Sequence, residues 1–161
     1  MKKDQLKRVL IAMDYDKTAH KVAEEGFAMA KAMNSEVVLL HVISDPVYYT
    51  STEFSPVFGV AGYMDVSSMQ FDSIDGLKKA ALHFLEKTKH HLADETIQTI
   101  VVEGDIAEVI LEYAKETHAD VIVLGSHSRK WLENIIIGSV AEEVLRQSRI
   151  PLFIVPTKKR S

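Results

Sequence analysis

Aliphatic residues gather in five short runs, at 9–13, 37–43, 97–102, 121–124 and 152–155, each of strand length and rich in β-branched side chains. Most of the runs are continuous rather than alternating, the pattern of strands covered on both faces in a parallel sheet between helical layers. The segments between them change period. Ala19, Val22, Ala23, Gly26, Phe27, Ala30 and Met33 recur at three- and four-residue steps and predict a helix along residues 17–33. Ile74, Leu77, Ala81, Phe84, Leu85, Thr88 and Leu92 make a second stripe, and Ile106, Val109, Ile110, Tyr113 and Ala114 a third. Val140, Ala141, Val144 and Leu145 mark a fourth, shorter helix, opened by Ser139 with Glu142 three residues on, the capping-box pattern. The order βαβαβαβαβ predicts right-handed crossovers and an α/β fold: a doubly wound, five-stranded parallel sheet with helices on both faces.

Pro151 and Pro156 bracket the last run, which places it at a sheet edge. An aliphatic edge pairs readily with another chain, so a homodimer through Leu152–Val155 is expected. Residues 44–68 hold Pro46, Pro56, Gly59 and Gly62 among the aromatics Tyr48, Tyr49, Phe54, Phe58 and Tyr63, with no period. A loop beyond about 12–15 residues is commonly a functional lid, and this one reads either as a flap over a site or as an inert insertion. Residues 157–161 read as a flexible basic tail, solvated or partner-binding. At about 150 residues per domain, 161 residues make one domain over 1–161.

Composition narrows the chemistry. Hydrophobic residues are 47% and charged residues 26%, as in a globular protein folded in water. Nineteen basic against 23 acidic residues leave a net charge of −4, which opposes nucleic-acid binding. No cysteine is present, so disulfides, thiolate catalysis, Fe–S clusters and cysteine zinc sites are excluded together. No apolar run approaches the ~20 residues of a membrane span or forms a signal-peptide core, and the expected location is cytoplasmic. Neither the P-loop pattern nor G-x-G-x-x-G occurs. Asp14 and Asp16 could hold a divalent ion, although helix capping accounts for acidic residues there equally well. His20 with Glu24 reads as a surface i,i+4 pair, His90 and His91 as a polar helix end, and His118 as a residue before a turn.

In open α/β sheets, ligands bind beyond the carboxyl ends of strands, where the winding reverses. Two loops meet that description: Asp14 to Thr18 after the first strand, and Gly125-Ser126-His127-Ser128-Arg129-Lys130 after the fourth. The second runs on to Gly138-Ser139 at a helix N-terminus. Such an end favours phosphate, because its N–H groups and dipole attract anions and glycine admits close approach of the backbone. Ser126, Ser128 and Ser139 add hydroxyls. The competing reading makes Gly125 a turn and Ser139 an N-cap. Ser126-His127-Ser128 lacks a visible orienting partner for nucleophilic catalysis, so no dedicated enzyme is expected, and hydrolysis of a bound nucleotide would be slow.

Gly125-Ser126-His127-Ser128, nine residues, then Gly138-Ser139-Val140-Ala141 resembles the universal stress protein signature, G-x-x-G, nine residues, G-[S/T]. The likeness extends over essentially the whole chain, through Asp14, Leu39-Leu40-His41-Val42, Gly104-Asp105, the run from Ala119 to Gly125 and the segment from Pro151 to Pro156. The resemblance implies a Rossmann-like, adenine nucleotide alpha hydrolase-like sheet of order 3-2-1-4-5, dimerisation through the fifth strand and, in one subgroup, ATP bound at the signature loop. It sets Asp14 near adenosine and the Val42 backbone against adenine. Gly125, Ser126, His127, Ser128, Gly138, Ser139 and Val140 would surround ribose and phosphates, with Ala12 and Leu124 beside them and Arg129 screening phosphate charge. Mg²⁺ would arrive with ATP, since that ion commonly uses phosphate oxygens and water. One position departs: Ser128 stands where the signature has its second glycine. A left-handed backbone there would cost a non-glycine residue about 1–2 kcal/mol, or about tenfold in affinity. The expected function is an ATP-regulated stress-response homodimer. The alternative is a stress-response scaffold that binds no nucleotide and acts through a protein partner.

Overall fold

The computed structural model describes residues 7–14, 18–44, 74–126 and 137–157. The expected flap beyond Ser44, the basic tail beyond Thr157, and the loop residues His127, Ser128 and Arg129 lie outside the described residues; Thr157 itself, expected to begin a flexible tail, is buried and held by Ser126.

Among the described residues five strands and four helices alternate: β1 (Arg8–Ala12), α1 (Ala19–Ala32), β2 (Glu36–Ile43), α2 (Ile74–His91), β3 (Gln98–Glu103), α3 (Ile106–Glu116), β4 (Val121–Gly125), α4 (Ser139–Gln147) and β5 (Leu152–Val155). The strands form one sheet of order β3-β2-β1-β4-β5, and every pairing is parallel. Alternate side chains of the same strands enter opposite cores. Val9, Ile11, Val37, Leu39 and Val123 pack with Val22 and Ala23 of α1 and with Leu77, Phe84 and Leu85 of α2. Leu10, Val38, Leu40, Ile122 and Leu124 pack with Val109 and Ile110 of α3 and with Ala141 and Val144 of α4. Two faces, each closed by two helices, require apolar residues at every position of the inner strands, and this explains why the runs are continuous.

Register fixes the rim. Ile11 of β1 pairs with Val123 of β4, and continuing that register sets Ala12 opposite Leu124. On the other side Ala12 pairs with Leu40 of β2, and the Met13 N–H extends the ladder to the Leu40 carbonyl at 2.8 Å. The chain leaves β1 toward β2 on one side and reaches β4 on the other by way of β3, so the winding reverses between β1 and β4.

The start of α4 corrects an expectation. Gly138, in extended conformation (φ −70°, ψ 160°), occupies the N-cap, and Ser139 is the first helical residue. The Glu142 N–H donates to the Gly138 carbonyl at 2.9 Å. Ser139 and Glu142 therefore stand one place too far into the helix for the reciprocal capping box. That box does form at neither residue, whereas Asp105 of α3 caps in the ordinary way, its carboxylate accepting from the Glu108 N–H at 3.0 Å.

Candidate functional site

The carboxyl ends of β1, β2 and β4 bring most of the predicted residues to one edge of the sheet. Ala12 ends β1, half-buried, and Asp14, also half-buried, follows it. Val42 is buried near the end of β2, and Leu124 is buried in β4. Gly125 and Ser126 are half-buried at the end of β4, while Gly138 is buried, Ser139 exposed and Val140 half-buried at the head of α4.

The two halves of the signature meet directly. The Gly138 N–H donates to the Ser126 carbonyl at 2.8 Å, which returns the chain from its excursion to the end of β4. Helix geometry leaves the first N–H groups of α4, those of Ser139, Val140 and Ala141, without acceptors inside the helix, and they open at this rim. Glu142 in the first turn brings negative charge, but its carboxylate is paired with Arg146 at 2.8 Å. The arrangement suits an anion held by backbone donors at a helix N-terminus.

Two candidate residues also have structural duties. A Cβ on Gly125 would lie 3.0 Å from Val22 Cγ2 and 3.2 Å from Thr157 Cγ2, so close packing of α1 and the segment after β5 already calls for glycine. The Ser126 hydroxyl accepts from the Thr157 N–H at 3.0 Å, and the Ser126 N–H donates to the Val155 carbonyl at 2.9 Å. Ser126 therefore latches β5 to β4 as well as facing the rim.

Two residues that sequence reasoning passed over support this edge. Buried His41 of β2 donates from Nδ1 to the Met13 carbonyl at 2.8 Å, fixing the exit of β1 just before Asp14. A polar residue inside the apolar run 37–43 was its signal in the sequence. Thr157, buried after β5, had none, because its partner Ser126 is distant in the chain.

A model of the universal stress protein family matches residues 5–156. Universal stress protein MJ0577 of Methanocaldococcus jannaschii is 31% identical over 155 residues, covering 94% of this chain and 96% of that protein. Universal stress protein YxiE of Bacillus subtilis is 31% identical over 151 residues, 92% of this chain and 97% of that one. The solved structure of MJ0577 matches with a TM-score of 0.71 at 27% identity, covering 98% of this chain and all of that chain. A universal stress protein in complex with cAMP matches in fold, with a TM-score of 0.64 at 17% identity over 96% of this chain and 100% of that chain.

Proposed function

The chain belongs to the universal stress protein family, and from that premise we propose that it binds ATP at the β1–β4 rim as a regulatory ligand. The observation that carries this reading is the junction of Ser126 with Gly138, which sets a glycine-capped helix N-terminus at the point where the winding reverses. Phosphates would engage the first N–H groups of α4 and the hydroxyl of Ser139, with Mg²⁺ held between phosphate oxygens and water. Asp14 and the backbone at Val42 would face the nucleoside. A protein of the same fold forms a complex with cAMP, so the fold is compatible with an adenine nucleotide. Binding couples nucleotide to whatever the dimer engages. Any hydrolysis is slow.

A homodimer through β5 belongs to the same reading. β5 is an edge strand, and its large side chains Leu152, Phe153 and Ile154 are only half-buried in the single chain.

One observation favours the nucleotide-free scaffold instead: packing and the Thr157 latch account for Gly125 and Ser126 without a ligand. Gly138→Val separates the two. The backbone at Gly138 is extended, which a β-branched residue tolerates, and the added side chain blocks close approach of a phosphate. Calorimetric titration with Mg-ATP should show saturable binding to the wild type and at least a tenfold loss in the variant. Undiminished affinity in Gly138→Val would move the phosphate site elsewhere, and no binding to either protein would leave the scaffold.

A further inference from the structure

Three side chains from α1 and α2, none of them among the residues assigned to the nucleotide, converge. His20 lies in the first turn of α1, Glu24 one turn later on the same face, and His91 is the last residue of α2. Glu24 Oε1 lies 2.6 Å from His20 Nε2 and 3.1 Å from His91 Nε2. One ligand atom from each residue falls within 4.8 Å of the other two. The two imidazole rings are 4.4 Å apart between centroids and tilted by 48°.

We propose that His20, Glu24 and His91 form a binding site for one borderline divalent transition-metal ion, Zn²⁺ above all. Two imidazoles and one carboxylate are a donor set that suits zinc and its neighbours rather than Mg²⁺ or Ca²⁺, which take oxygen ligands. Zn²⁺ sits about 2.0–2.2 Å from each of these donors, so a tetrahedral arrangement separates ligand atoms by roughly 3.3 Å. The His91–Glu24 separation of 3.1 Å is already near that value, whereas the His20–Glu24 separation of 2.6 Å is shorter and must widen by rotation of these partly exposed side chains to admit the ion.

The backbone that carries these groups is held independently of any metal. Val22 and Ala23 of α1 and Phe84 and Leu85 of α2 are buried in the same core, and Lys31 of α1 pairs with Asp94 just beyond α2 at 3.0 Å. The ion would clip α1, which follows the Asp14 loop, to the far end of α2. Its coordination would be completed by water, since all three side chains are at least partly exposed, at 31%, 48% and 47%. The sequence links only two of the three: His20 and Glu24 are an i,i+4 pair, whereas His91 arrives from the next helix.

The test uses full-length protein without a polyhistidine tag and without nucleotide, titrated with Zn²⁺ by calorimetry and with Co²⁺ by visible absorption. Wild type should bind one ion per chain with micromolar affinity, show cobalt d–d bands and melt at a higher temperature with Zn²⁺. His91→Ala and Glu24→Gln should each weaken binding at least tenfold and abolish the Zn²⁺-dependent rise. His90→Ala, next to the cluster but facing Glu95, should bind as wild type does. His20→Gln provides a second imidazole variant should His91→Ala fold poorly. No saturable binding by wild type, or binding that persists in both imidazole variants, would overturn the proposal. Neither outcome bears on the nucleotide site, which Gly138→Val tests separately.

Discussion

Asp94 carries more than its place in a short turn suggests. Its carboxylate accepts from the Thr96 hydroxyl and N–H, the latter at 2.9 Å, and pairs with Lys31. These contacts, the Thr96 hydroxyl foremost, hold its pKa well below the usual 3.8, at about 2. A depressed acid contributes stability that is present above the unfolded pKa and is lost as pH falls through the folded one. Asp94→Asn should therefore lower stability at pH 7 by about 1 kcal/mol, the scale of a solvent-screened ion pair with added hydrogen bonds. In urea unfolding at pH 7 and pH 3, the gap between wild type and variant should narrow at the lower pH. A gap that stays constant with pH would mean that the carboxylate's charge is not what stabilises this turn. At this scale the sequence was only partly legible. Gly125 and Gly138 stood out by spacing, but the packing of Val22 against Gly125 and the latch from Thr157 to Ser126 join residues far apart in the chain. His91 could not be read together with His20 and Glu24 for the same reason.

Helices and strands were far more legible, because burial on one or two faces imposes a period that local reading detects. All five strands and all four helices lie where the aliphatic runs and stripes place them, with ends shifted by a residue or two. The ends depend on single backbone conformations rather than on period, and α4 illustrates this: Gly138 takes the cap that Ser139 was expected to hold. At the other pole of α2, Ala93 adopts a left-handed conformation, φ 56°, and donates its N–H to the His90 carbonyl at 3.0 Å. An L-residue with a Cβ is disfavoured there by about 1–2 kcal/mol, and glycine relieves the strain at some cost in unfolded-state entropy. Ala93→Gly should raise stability by about 0.5–1 kcal/mol, which differential scanning calorimetry reads as a higher melting temperature. A lower melting temperature would show that the turn after α2 does not depend on that conformation.

At the scale of the whole molecule, the described residues form one parallel sheet wound in both directions, and the proposed site lies at one edge of it. The strand order followed from the family resemblance rather than from the periodicity, since alternating strands and helices fit more than one winding. Once the order places β1 between β2 and β4, the reversal point, the Asp14 turn and the head of α4 all come to the same rim. The same order leaves β5 at an edge with half-buried apolar side chains. Sedimentation at micromolar protein should give the mass of two chains, and a single-chain mass would remove β5 pairing from the account. Regulation by ATP is tested by the melting temperature of nucleotide-stripped protein titrated with Mg-ATP, with AMP, GTP and NAD in parallel. A ligand at ~100 times its dissociation constant adds about 2.7 kcal/mol, which raises the midpoint of a domain this size by about 5–10 °C. A saturable, ATP-selective rise of that order is expected in the wild type, and its loss in Gly138→Val. A flat response to millimolar ATP would contradict it.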